Sequence, residues 1–328
     1  MKKPNIFNYA TSELSQDAII CYILEWAKKD YKDIDYNLHK LGISFIDSLF
    51  KKCDITKPSK YNNIEIKKQY KNIDILCVVN NEYSIIIEDK TNTKNHSDQL
   101  KRYFNKIEKE YSETKILPIY FKTGDQSDYK SIEDDGYKIY SRQDFLNILK
   151  MIECSNDIIE NYTYYLQNIE DSINSYKVID IDNWTRDAWK GFFIELKEKL
   201  KDGNWDYVSN RSGGFIGFWW NWHSKEKEGT PYSIYLQLEF NKLVFKLECL
   251  NKNDRNNIRS IYREKLHNFA EKKKINIKNY GRTGRWMGVA ILEDDYRITD
   301  NSGLIDIDKT VNNLKKIEEL LELVANEL

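Results

Sequence analysis

The chain has 328 residues, of which 41% are hydrophobic, 13% aromatic and 31% charged; at about 150 residues per domain this is apolar material for two cores. Its 51 basic and 52 acidic residues leave a net charge of −1, so a nucleic-acid ligand would be met by a local basic groove rather than by an overall positive field. A mean hydropathy of −0.70 with no long apolar run excludes a transmembrane helix, and five scattered cysteines (Cys21, Cys53, Cys77, Cys154, Cys249) fit neither a disulfide framework nor a zinc site.

The opening Met1-Lys-Lys-Pro-Asn-Ile-Phe-Asn8 lacks the apolar stretch of a secretory signal, and with the cysteine usage this leads us to expect a cytoplasmic protein. Residues 12–30 read as a helix with Ser12 as N-cap and a stripe of Leu14, Ala18, Cys21, Tyr22, Leu24 and Trp26. A second helix over 38–52 carries Leu38, Leu41, Phe45 and Leu49. The period then shortens: Asn63–Tyr70, Ile73–Val79 and Tyr83–Glu88 are β-branched runs, the last two joined through Asn80-Asn81. A helix over 97–111, a strand at Ile116–Phe121, a strand at Tyr137–Tyr140 and helices to residue 176 follow. This order predicts an α/β arrangement with helices on both faces of a mixed sheet.

Composition changes near Tyr176–Trp184, after which seven of the eight tryptophans occur. We therefore expect a first domain over 1–177 and an α+β accessory domain over 178–328, rich in Trp and serving substrate recognition or oligomerisation. Its expected elements are a meander (Gly213–Trp222, Tyr232–Glu239, Leu243–Leu250), a helix over 254–273, strands at Met287–Leu292 and Tyr296–Ile298, and a closing helix over 308–327. The tryptophans suit a core better than a base-stacking platform, the alternative reading. Arg282 and Arg285 in Gly281-Arg-Thr-Gly-Arg-Trp286 are either phosphate contacts or an ordinary surface turn, and the closing helix packs on its own domain or on a second copy.

The chemistry lies between the two short strands Ile73–Val79 and Tyr83–Glu88, where Asp74 begins one and Glu88-Asp89-Lys90 ends the other. A three-residue loop, Asn80-Asn81-Glu82, sets Asp74 opposite Glu88 on one sheet face, with Lys90 on that face and Asp89 pointing away. A two-residue loop would turn Glu88 to the other face, so this reading requires an odd loop or a bulge. Charges in apolar strands are costly unless paired or metal-bound, and two adjacent carboxylates oppose joint ionisation without a cation. Oxygen ligands of this kind suit Mg²⁺, with Mn²⁺ able to substitute, and a lysine beside them can orient a water or stabilise charge on a phosphate. The residues thus point to metal-assisted phosphodiester hydrolysis.

Asp74 followed by Glu88-x-Lys90, with Ile73 where the family usually has Pro, resembles the PD-(D/E)XK nuclease superfamily. Gln99-Leu-Lys-Arg-Tyr103 is similar to the QxxxY motif of its RecB-like branch, and a spacing of four puts Gln99 and Tyr103 on one helix face. Asn8-Tyr-Ala-Thr-Ser-Glu13-Leu-Ser-Gln-Asp17 resembles the first-helix motif of a bacterial subfamily, with Glu13 the better match to its acidic residue and Asp17 the weaker. The resemblance spans residues 5–125. It implies a restriction-endonuclease-like fold, a metal held by Glu13, Asp74, Glu88 and the backbone carbonyl of Asp89, and a catalytic set of Asp74, Glu88, Lys90, Gln99 and Tyr103.

The resemblance also implies a Mg²⁺-dependent deoxyribonuclease acting on DNA, a role in defence against foreign DNA such as phage, and a homodimer. Two alternatives stand beside it: a nucleic-acid-binding or sensor module whose nuclease fold is inactive or partner-activated, and an RNase on the same scaffold. Plainer readings exist for each residue, a surface ion pair for Glu88 and Lys90 and a dipole contact for Glu13 among them. His96 reads as a bystander, and Lys94, Lys101 and Arg102 as either phosphate contacts or a solvated face.

Overall fold

The computed structural model describes residues 4–93, 98–210 and 213–328. The chain divides into two compact units, residues 1–170 and 171–328. The first holds α1 (Glu13–Trp26), α2 (Tyr36–Lys52), β1 (Ile64–Tyr70), β2 (Ile73–Val79), β3 (Tyr83–Lys90), α3 (Gln99–Glu110), β4 (Lys115–Lys122), α4 (Lys130–Asp134), β5 (Lys138–Ser141), α5 (Arg142–Met151) and α6 (Asp157–Asn174), the last running into the second unit. Its five strands lie in the order β1-β2-β3-β4-β5. The first three are antiparallel and the last three parallel, so β3 is shared between the two patterns.

Helices cover both sheet faces, as the element order predicts. Alternate residues of β2 and β3 (Ile75, Cys77, Ile85, Ile87) pack with Ile20, Leu24, Phe45 and Leu49 of α1 and α2. The residues between them (Leu76, Val78, Ile86) pack with Leu100, Tyr103 and Ile107 of α3. A sheet covered twice requires strands apolar on both faces, which explains why β2 shows no polar alternation. Two turns fix the hairpins. Lys71 and Asn72 (φ 53° and 71°) join β1 to β2, and Asn80 and Asn81 (φ 54° and 56°) begin the β2–β3 loop. Positive φ at both central residues matches the twist of a hairpin, and asparagine tolerates it. The Glu82 N–H bonds back to the Val79 carbonyl at 3.0 Å, while Val79 pairs with Tyr83. The loop therefore has three residues and the odd register that the carboxylates require.

The second unit contains α7 (Arg186–Lys199), β6 (Asn204–Val208), β7 (Phe215–Lys227), β8 (Thr230–Glu239), β9 (Lys242–Cys249), α8 (Arg255–Lys273), β10 (Ile277–Asn279), β11 (Trp286–Leu292) and α9 (Ile307–Glu327). Its sheet runs β10-β11-β9-β8-β7-β6, antiparallel throughout. The meander, α8, β11 and α9 appear where the sequence puts them. Helix α7 and strands β6 and β10 were not foreseen. Tyr296–Ile298 is no strand: the Tyr296 hydroxyl donates to the Phe240 carbonyl at 2.7 Å, Arg297 folds onto Asp295, and a single backbone bond from the Asp306 N–H to the Ile298 carbonyl (2.7 Å) stands in place of a ladder. Trp184, Trp189, Trp205 and Trp220 belong to the core, while Trp222 and Trp286 are exposed. The apolar stripe of α9 (Val311, Leu314, Ile317, Leu321, Val324) is spent inside this unit.

Candidate active site

The register that sets Val79 against Tyr83 and Ile75 against Ile87 faces Asp74 with Glu88 when carried one residue further. Glu88 is fully buried. Its Oε1 accepts from Lys90 Nζ at 2.6 Å and from Gln99 Nε2 at 2.8 Å. Gln99 opens α3 and its amide also donates to the Tyr103 hydroxyl at 3.0 Å, so the helical spacing of four brings both side chains to one place. Asp74 Oδ2 accepts from the Asp89 backbone N–H at 2.9 Å and lies 3.6 Å from Lys90 Nζ.

Glu13, the first residue of α1 after its N-cap Ser12, comes to the same strand ends. Its Oε1 accepts from the Thr91 N–H at 3.2 Å and the Thr93 hydroxyl at 2.6 Å, and its Oε2 lies 4.0 Å from Lys90 Nζ. Lys90 thus stands among three carboxylates and also donates to the Asp89 carbonyl at 2.9 Å. Burial opposes its charge, but Glu88, Asp74 and Glu13 outweigh that and raise its pKa. Burial, reinforced by the charge of Asp74, pushes Glu88 up to about 7 even though Lys90 pulls the other way.

Among the described residues, no three carboxyl, thiol or imidazole groups lie close enough to hold a metal ion as they stand. The Lys90 ammonium sits at the point on which the carboxylates converge. Among the described residues Glu88 Oε2 is buried with no hydrogen-bond partner, an oxygen that calls for a cation or a proton. The donors are all carboxylate or carbonyl oxygens, which matches a hard divalent cation, so the residues fit the group that the strand pattern implies.

Asp89 behaves as its position on the strand dictates. Its side chain leaves the opposite face, fully buried, and accepts from the Gln16 amide of α1. Gln16 Oε1 in turn accepts from the Thr123 hydroxyl at 2.6 Å and the Tyr162 hydroxyl at 3.0 Å. Asp17 joins this side, its carboxyl close enough to that of Asp89 for each to act on the other. Among the described residues Asp17 Oδ1 and Asp89 Oδ2 are buried with no hydrogen-bond partner, and one proton shared between the carboxyls would satisfy both. Burial and then the charge of Asp74 push Asp17 up to about 6. Burial drives Asp89 well above the carboxylate range despite the Gln16 hydrogen bond, with Asp17 and Asp74 adding to it.

Gln69, Gln16 and Lys122 escaped the sequence reading. Gln69 adopts φ 53° in β1 and its amide reaches Asp17 Oδ2 at 3.1 Å and Asp74 Oδ1 at 3.2 Å; positive φ at a non-glycine residue is a local cost that concentrates at functional sites. Lys122 ends β4 as Lys90 ends β3 and is its partner in parallel register. It is buried, and burial lowers its pKa to about 8 although Glu13 and Asp125 act to raise it. A lysine closing an apolar strand was the signal available for it. Lys101 instead pairs with Asp135 at 3.2 Å, Arg102 is exposed on α3, and Lys94 and His96 lie outside the described residues. A cavity of about 660 Å³ between α2 and α5 is lined by none of the site residues.

The profile of the PD-(D/E)XK nuclease superfamily matches residues 4–180, more than half of the chain and the whole of the sheet that carries these residues. No curated protein and no solved structure matches the chain. Fold, strand-end carboxylates and profile agree: the chain belongs to the PD-(D/E)XK nuclease superfamily.

Proposed function

We propose that this protein hydrolyses phosphodiester bonds of DNA with the help of a divalent cation, Mg²⁺ or in its place Mn²⁺. The observation that carries the reading is the buried Glu88, paired with Lys90 at 2.6 Å and facing Asp74 at one end of a sheet. Glu13, Asp74, Glu88 and the Asp89 carbonyl would hold the cation, which when bound supplies Lewis-acid polarisation of a phosphoryl oxygen and a lowered pKa for water. Lys90 would orient the attacking water and offset charge developing on the phosphorus-bound oxygens. Gln99 fixes the Glu88 carboxylate from one side, and Tyr103 fixes Gln99.

The choice of DNA rests on the family resemblance, since this chemistry does not use a 2′-hydroxyl, and defence against foreign DNA rests on the same resemblance. Residues 171–328 are proposed as an accessory unit for substrate recognition. The stacking of Trp222 on Tyr235 (ring centroids 3.8 Å apart) and of Arg285 over Trp286 (4.2 Å) supports that assignment. A homodimer would need a surface other than the apolar stripe of α9. The test is cleavage of circular duplex, circular single-stranded DNA and RNA with Mg²⁺, Mn²⁺ or EDTA, beside Asp74→Ala. Metal-dependent loss of a DNA circle, absent in the variant, is expected. Cleavage of RNA alone would replace the substrate, and binding without turnover on any polymer would favour the partner-activated reading.

A further inference from the structure

The end of β4 repeats the end of β3, with Lys90 and Lys122 paired in parallel register. Both side chains therefore leave the same sheet face, about 4.8 Å apart along the hydrogen-bonding direction. Their surroundings differ. The Lys90 ammonium is taken up by Glu88, Asp74, Glu13 and the Asp89 carbonyl. Lys122 is only 2% exposed, and among the described residues it forms no ion pair and one hydrogen bond, to the Thr93 carbonyl at 2.6 Å. An ammonium has three N–H donors, and a buried cation with no carboxylate in ion-pair contact, only the longer-range pull of Glu13 and Asp125, is costly. The sheet here nevertheless keeps one, one strand away from the carboxylates.

We propose that Lys122 is a second lysine of the active site, its ammonium donating to a nonbridging oxygen of the bound phosphodiester beside Lys90. The proposal rests on the nuclease reading above and adds a substrate contact to it. Nonbridging oxygens gain charge as the phosphorus becomes five-coordinate, so a fixed cation beside them acts more strongly on the transition state than on the bound substrate. The competing role for Lys122 is a clamp on the Thr91–Thr93 segment, which Glu13 holds from its other side.

Lys122→Gln keeps a donor for the Thr93 carbonyl but removes the charge, and Lys122→Arg keeps both. On the polymer that the wild type cleaves, Lys122→Gln should lower kcat about 100-fold, with Tm unchanged and at least a tenfold recovery in Lys122→Arg. With Ca²⁺ in place of Mg²⁺ to hold the polymer uncut, the slope of log Kd against log salt should fall in Lys122→Gln by roughly 0.7–0.9, the value of one phosphate contact. Cleavage by Lys122→Gln within about threefold of wild type, or an unchanged salt slope, would overturn the proposal. If Lys122→Gln does not fold, Lys122→Met, which keeps the buried stem, is judged by the same criteria. A wild type that neither cleaves nor binds any polymer removes the nuclease reading and this inference together; a wild type that cleaves leaves the variants to decide Lys122 alone.

Discussion

Glu88 and Asp89 are consecutive residues of one strand, both fully buried, yet they solve the problem of a buried carboxyl in opposite ways. On the α3 side Glu88 meets a cation, Lys90, and a neutral donor, Gln99. On the α1 side Asp89 meets a second acid, Asp17, with Gln16 as donor and, among the described residues, no ion-pair partner. The first face keeps charge where it can act, with one carboxylate oxygen unspent. On the second face burial raises the pKa of both acids, and the pair sits in the scaffold. Strand alternation alone separates the two, and it explains how two adjacent acids can have opposite surroundings.

The largest effect should come from the charged face. Asp74→Ala is expected to reduce cleavage by at least about 1,000-fold without lowering Tm, because Asp74 raises the pKa of both Glu88 and Asp17 and its loss relieves that repulsion. Cleavage at the wild-type rate would sink the assignment. Lys90→Ala should abolish cleavage too, but at a cost in stability that is greater at pH 8 than at pH 6, since it leaves Glu88 buried without its cation.

Protonation gives the next test. Glu88 titrates near 7 rather than at its ordinary 4.5, so the folded chain binds more protons than the unfolded one between those values. The stability of the metal-free protein then falls as pH rises through that window. A divalent cation must displace that proton, so its apparent affinity should climb on the order of tenfold per pH unit up to about 7 and level off above. Thermal shift with and without Mg²⁺ from pH 5 to 8 measures both trends. A metal effect independent of pH would remove Glu88 from the ligand set.

The neutral face should respond to shape rather than to charge. Asp89→Asn can still accept from the Gln16 amide and replaces an acid whose pKa burial raises, so we expect stability within about 1 kcal/mol of wild type. Asp89→Ala leaves the Gln16 amide buried and unpaired and should cost about 1–3 kcal/mol. Chemical denaturation of the two variants measures the difference, and equal losses would mean that Asp89 is ionised after all.

How much of this could be read in the sequence followed from where burial conflicts with residue type. Charges inside apolar runs are conspicuous, and the loop that puts Asp74 opposite Glu88 follows from simple counting once the two carboxylates are required to share a face. Gln16, Gln69 and Lys122 were not legible because they have partners distant in sequence: Asp89, Asp17 and Thr93. Gln69 depends besides on a backbone angle that no composition signals. In the second unit the tryptophans could not be sorted from their type alone. Asn221 at φ 55° and the register shift between Trp220 and His223 insert an extra residue in β7, and a bulge of this kind changes the side on which following residues emerge. Trp220 is fully buried and Trp222 is 41% exposed, although plain alternation would put them on one face.

Gln69 offers the finest test of the comparison, because its amide touches both acids across the strand, Asp17 on the neutral side and Asp74 on the charged side. It is an exposed residue and both bonds exceed 3.0 Å, so neither is strong. Gln69→Ala removes one hydrogen bond from Asp74 while the Asp89 N–H continues to hold the other oxygen. The expected loss is about 0.5–1.5 kcal/mol of positioning, which reads as roughly a two- to tenfold fall in kcat, with KM and metal affinity close to wild type. Gln69→Glu should do more harm than Gln69→Ala, since it adds a third carboxylate where Asp17 and Asp74 already repel. If Gln69→Glu cleaves as well as Gln69→Ala, the two faces are coupled through the Asp89 backbone alone, and Gln69 is a turn residue rather than part of the site.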